Sequence, residues 1–75
     1  MVIERLEQAR KNLAKYKTTV RQFEARYGQN FETFRRNVLS SDPSFEVERD
    51  YFDWELAVTG LADVEEEIKH LLDLP

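Results

Sequence analysis

The sequence contains no cysteine, two glycines, two prolines and one histidine among its 75 residues. Without cysteine there is neither a disulfide nor a thiolate metal site. A single histidine, His70, is too few for a dedicated imidazole cluster. No apolar run approaches the roughly 20 residues that cross a bilayer. Met1-Val2-Ile3-Glu4-Arg5 meets charge almost at once, so no secretory signal is read there and a soluble, cytoplasmic protein is expected. A chain this short buries only about 60% of the surface its unfolded form exposes. Small scaffolds therefore lean on disulfides, a metal or another chain. With the first two set aside, a protein partner or a second copy is the expected staple.

Net charge is −4, and its distribution says more than its size. Residues 1–38 hold nine Lys/Arg against four Asp/Glu, whereas residues 39–75 hold two against eleven. A chain folded back on itself would set a basic helix beside an acidic one. Two readings follow: the polarity favours a hairpin, or one pole faces a charged partner.

The few turn formers divide the chain. Gly28 follows Tyr27 where a long periodic run ends, as at a helix C-terminus. Ser40-Ser41-Asp42-Pro43-Ser44 is the turn-like cluster, and Pro75 is the last residue. Before Gly28, apolar residues fall at Val2, Leu6, Ala9, Leu13, Tyr16, Val20, Phe23 and Tyr27, at intervals of 4, 3, 4, 3, 4, 3 and 4. Such a 3.5-residue repeat is a coiled-coil or bundle seam. Its flanks, Arg5, Arg10, Lys17, Glu24 and Arg26, are mostly basic and suit a partner helix with acidic flanks. Asn30 is placed to cap a short helix whose Phe31, Phe34 and Val38 share a face. The third helix starts at Asp42-Pro43, with Asp42 capping and Pro43 first in the helix, or at Ser44. Its seam is Trp54, Ala57, Leu61, Val64, Ile68 and Leu71, widened by Tyr51, Val58 and Leu72. Glu65, Glu66, Glu67 and Asp73 are expected near the basic half of the first helix. Gly60 sits inside this helix at a cost of about 1 kcal/mol relative to Ala. It marks either a close approach of another backbone or a tolerated defect.

The expected fold is therefore all-α: one helical interaction domain over residues 1–75, with helices about 2–27, 30–40 and 44–73. The two long helices form an antiparallel hairpin joined by the short one, completed by a partner chain or by dimerisation.

Little in the sequence suits catalysis. Glu67-Ile68-Lys69-His70 has the Glu-x-x-His spacing of di-iron bundles, but Ile68 takes the seam and His70 points outward. No Ser or Thr is placed to pair with His70, no glycine-rich phosphate loop exists, and no metal or cofactor is expected. Arg5, Arg10, Lys11, Lys15, Lys17, Arg21 and Arg26, with Arg35-Arg36, could neutralise phosphates. Glu4, Glu7 and Glu24 interrupt them, and no helix-turn-helix or ribbon is present, so this chain alone is not expected to bind nucleic acid directly.

The densest cluster is Asp50-Tyr51-Phe52-Asp53-Trp54-Glu55. Tyr51 and Trp54 lie on the seam, but Phe52 lies almost opposite. Phe45, Phe52 and Leu56 make a second stripe, so the first half of this helix is apolar on two sides and must be covered on both. Either the short helix covers the second stripe, or another chain does. Phe45, Asp50, Tyr51, Phe52, Asp53, Trp54, Glu55 and Leu56 are the expected partner-binding residues, the aromatics as anchors and the carboxylates as charge.

Arg26-Tyr27-Gly28-Gln29-Asn30-Phe31-Glu32-Thr33-Phe34, followed by Asp50-Tyr51-Phe52-Asp53-Trp54-Glu55, resembles a group of short prokaryotic antitoxins of type II toxin–antitoxin modules. The shared pattern is a long helix ending in Tyr-Gly, then Phe-x-x-Phe, then an acidic Trp-Glu helix, over roughly residues 20–72. The resemblance implies a small cytoplasmic protein that caps a toxin enzyme and blocks its site. Toxins of this kind are often ribonucleases with basic sites, which an acidic aromatic helix would complement. This chain departs from many antitoxins in showing no separate DNA-binding domain. The alternatives are a self-associating structural bundle without an enzyme partner, and a nucleic-acid-associated protein using the basic first helix.

Overall fold

The computed structural model describes residues 1–73; Leu74 and Pro75, the end of the expected 1–75 domain, lie outside the described residues. It is all-helical, with α1 at Val2–Tyr27, α2 at Phe31–Leu39 and α3 at Phe45–Leu72. Each boundary has a local cause. Gly28 ends α1 in the left-handed conformation, φ 64°, and its N–H donates to the Glu24 carbonyl at 2.8 Å. Such a φ costs glycine nothing and an L side chain roughly 1–2 kcal/mol. Asn30 caps α2, its Oδ1 accepting from the Thr33 N–H at 2.9 Å. Ser44, not Asp42, caps α3, its Oγ accepting from the Val47 N–H at 3.2 Å, and Pro43 precedes the helix. A serine hydroxyl at that position satisfies one of the orphan N–H groups of the first turn.

α1 and α3, of 26 and 28 residues, pack side by side and run in opposite directions. Followed from Tyr16 to Phe23 to Arg26, α1 meets α3 first at Gly60, then Trp54, then Asp50. The result is a rod of 50 × 18 × 17 Å. α2 has 9 residues and packs on α3 near the turn, leaving most of the rod's length as a helix pair.

The two halves of the rod are filled differently. Near the turn, Trp54 is 0% exposed and ringed by aromatics: Phe34 at 4.9 Å, Phe31 at 5.4 Å, Phe23 at 5.5 Å and Tyr27 at 6.1 Å between centroids. Each such pair adds roughly 0.5–1.5 kcal/mol beyond burial of area. Toward the other end the buried residues are small or aliphatic: Ala57, Val64 and Leu71 on α3, and Ala9 on α1. All of these fall on the two seams.

Gly60 has a specific reason. A Cβ there would stand 2.7 Å from Cζ of Tyr16, whose ring tip lies against the glycine. The close approach is that of a side chain, not of a backbone. The charge complementarity expected between the arms is scarcely used. Among the described residues the ion pair between helices is Arg26–Asp50 at 3.1 Å; Met1–Glu4 and Glu32–Arg35 lie within helices. Glu65, Glu66, Glu67 and Asp73 stay exposed and pair with nothing on α1. An exposed pair gains little in water and costs the entropy of two long side chains, which is why the seam and not the charge sets the contact.

Candidate partner-binding site

α2 decides which face of α3 remains open. Its buried Phe34 and half-buried Phe31 lie against Trp54 and Tyr51, with Phe31–Tyr51 at 5.8 Å and Phe34–Tyr51 at 6.4 Å. Val38 packs on the same cluster. α2 therefore covers the flank of the seam and not the second stripe. Its amphipathic face can lie on one side of α3 only, and it lies in the aromatic groove beside Trp54.

The second stripe is consequently in solvent. Phe45 is 81% exposed, Phe52 58% and Leu56 70%. At spacings of seven and four residues they share one face, and span about 16 Å of helix at 1.5 Å per residue. Exposed Glu46, Glu48 and Asp53 and half-buried Glu55 flank them, and exposed Arg49 lies between Phe45 and Phe52. Large apolar side chains aligned in water and rimmed by charge mark an interaction surface more often than scattered ones do.

The other expected partner-binding residues serve the fold. Trp54 has no exposed surface. Its indole N–H is buried without an acceptor, the cost of placing the largest ring at the centre of the aromatic cluster. Tyr51 is half-buried beneath α2, and its hydroxyl donates to Glu55 Oε2 at 3.1 Å. Asp50 turns inward, its side chain only 13% exposed. It accepts a hydrogen bond from the Tyr27 hydroxyl and pairs with Arg26, fastening the end of α1 to α3. Arg26 also lies over the Phe23 ring, 5.3 Å from its centroid. Burial, then the hydrogen bond to Asp50 and its negative charge, push the Tyr27 phenol up to about 12. Asp50 is thus a carboxylate committed to its own chain rather than held for a partner. Of the expected set, Phe45, Phe52, Asp53 and Leu56 are the residues that face outward.

Sequence reasoning did not find the Tyr27–Asp50 bond. Its signal was a phenol on the α1 seam and a carboxylate at the edge of the α3 seam, both near the turn. Leu39 also stands exposed at the end of α2, and Met1, Val2, Ile3 and Leu72 at the far end of the rod. An open groove along α3 is lined by Val58, Leu61, Ala62, Glu65, Glu66 and Lys69. Glu67 and His70 are both exposed. Among the described residues no group of three His, Cys, Asp or Glu is arranged to hold a metal ion, and no helix is long and apolar enough to cross a membrane.

Compared with protein-family models, curated proteins and solved structures, the chain matches none.

Proposed function

We propose that the chain is a non-enzymatic, cytoplasmic protein-binding module, the antitoxin that neutralises a cognate toxin by direct contact. The observation that carries this reading is the outward stripe of Phe45, Phe52 and Leu56, left open after α2 has covered the other apolar flank of α3. A side chain such as Phe52 buries on the order of 150–250 Å² when fully covered, and a second chain is what remains to cover it. The Tyr-Gly, Phe-x-x-Phe and Trp-Glu motifs add the antitoxin identity by resemblance. In this reading the rod is the rigid part, and the partner completes the helical assembly over the stripe.

The test is recovery of the tagged chain from its source cells, beside a variant carrying Phe52→Ser and Leu56→Ser. A stoichiometric companion that is toxic when expressed alone, harmless beside the native chain and toxic again beside the variant supports the reading. Both proteins should give the same helical circular dichroism. Recovery of the native chain alone as a defined oligomer would replace this reading with a self-associating bundle.

A further inference from the structure

The stripe also specifies its occupant. Resting on the protein-binding reading above, we infer that it docks into an apolar groove rimmed by Lys and Arg on a different protein, not onto a second copy of this chain. Three anchors, Phe45, Phe52 and Leu56, project from one face of a continuous helix, an arrangement suited to helix-in-groove recognition. Exposed carboxylates line both sides of them: Glu48 on one, Glu46 and Asp53 on the other, with Glu55, half-buried and held by the Tyr51 hydroxyl, beside Glu48. A receiving groove with basic rims gains from every one of these, and its encounter with the stripe is accelerated by the field. An acidic or neutral groove would desolvate them without return.

A second copy fits poorly by either face. Stripe against stripe brings two rows of carboxylates together, with one Arg49 from each copy to offset them. The chain's basic surface is the outer side of α1. There, past the first turn, the exposed apolar side chains are Ala14 and Ala25, too small to receive two phenylalanines and a leucine. Where basic and large apolar side chains do meet on this chain's surface, Met1, Val2 and Ile3 beside Arg5 and Leu39 beside Arg35 and Arg36, each patch covers three residues or fewer against the twelve of the stripe.

The experiment uses the full-length, isotope-labelled chain and three synthetic helical peptides as probes. One carries leucines along one face and lysines elsewhere, the second has glutamates in place of the lysines, and the third is a scramble of the first with no apolar face. The leucine–lysine peptide is expected to bind, with amide shifts centred on residues 45–56. Its affinity should fall about tenfold or more in the Phe52→Ser, Leu56→Ser variant. It should weaken severalfold between about 50 and about 500 mM salt. The glutamate and scrambled peptides should bind at least tenfold more weakly. Equal binding of the lysine and glutamate peptides, both still dependent on Phe52 and Leu56, would overturn the basic groove while leaving a protein-binding stripe. Binding that ignores the Phe52→Ser, Leu56→Ser change would remove both readings. A native chain that sediments as a dimer, and a variant that sediments as a monomer, would make the second copy the occupant instead.

Discussion

Phe52 and Trp54 are two residues apart on one helix, and their surroundings are opposite. Trp54 is sealed among aromatics from all three helices, whereas Phe52 is 58% exposed. A helix places residues two apart on nearly opposite faces. The difference shows that α3 has two apolar faces with two uses. One is consumed by α1 and α2 in making the rod. The other is left uncovered in this chain, flanked by acidic side chains, and is the face proposed to meet a partner. Core and candidate interface therefore share a backbone and one edge-on ring contact, Tyr51–Phe52 at 5.5 Å between centroids, so each should be largely removable without the other.

The largest expected effect tests that separation directly. Trp54→Ala should cost about 3–5 kcal/mol, as truncation of a buried aromatic does. In a chain this small that is most or all of the stability, and urea unfolding should show a chain largely unfolded without denaturant. Phe52→Ala should move the urea midpoint by no more than about 0.5 kcal/mol equivalent. Comparable losses would show that Phe52 is core after all and would undo the comparison.

A smaller effect concerns Asp50, which lies between the two faces and belongs to the inner one. Asp50→Ala strands the Tyr27 hydroxyl and should cost about 1–3 kcal/mol. Asp53→Ala, on the outer side, should cost almost nothing. Linkage gives this contact a pH signature. The Tyr27 phenol titrates near 10 in an unfolded chain and at about 12 here, pushed up by burial and then by Asp50. The folded state holds its proton more tightly, so the contribution is whole below about pH 10 and is lost as pH rises through about 12. Urea melts of native and Tyr27→Phe chains across pH 8 to about 11.5 should converge at the alkaline end. A gap that stays constant to the alkaline end would mean that folding does not raise the Tyr27 phenol, and no gap at any pH would mean that Tyr27 contributes packing alone.

How much of this the sequence reveals depends on whether a feature is periodic. The 3.5-residue repeats, with the turn residues at their ends, place α1 and α3 to within a residue, and the buried Trp54, Ala57, Val64, Leu71, Ala9 and Phe23 all lie on the seams those repeats define. The helix ends followed from Gly28 and Asn30 because those motifs are local. Choices between competing surfaces were not legible. Phe31, Phe34 and Val38 fit either flank of α3 by spacing alone, and it is the packing around Trp54 that shows which flank they take. Asp50 reads as one more acidic residue in an acidic segment, because the phenol that claims it is twenty-three positions away. Asp42 and Ser44 both read as caps, and Ser44 is the one whose side chain accepts from the Val47 N–H.

The smallest effects contrast neighbours on the inner and outer sides of α3. Thr59 is exposed and Gly60 meets α1. On propensity alone both should gain from alanine: a few tenths of a kcal/mol for Thr59→Ala, about 1 kcal/mol for Gly60→Ala. Thr59→Ala should deliver its gain. Gly60→Ala should not, because its Cβ would stand 2.7 Å from Tyr16 Cζ and the ring must leave its place on the helix. Overpacking of this kind costs roughly 1–3 kcal/mol, so the net expectation is a loss of about 1 kcal/mol. The decisive background is Tyr16→Ala. There the obstruction is gone, and Gly60→Ala should change sign and stabilise by about 1 kcal/mol, an inversion that thermal melts of the four chains can read. If Gly60→Ala stabilises equally with Tyr16 present, the glycine makes no room for the ring, and the two sides of α3 differ less at this level than Trp54 and Phe52 make them appear.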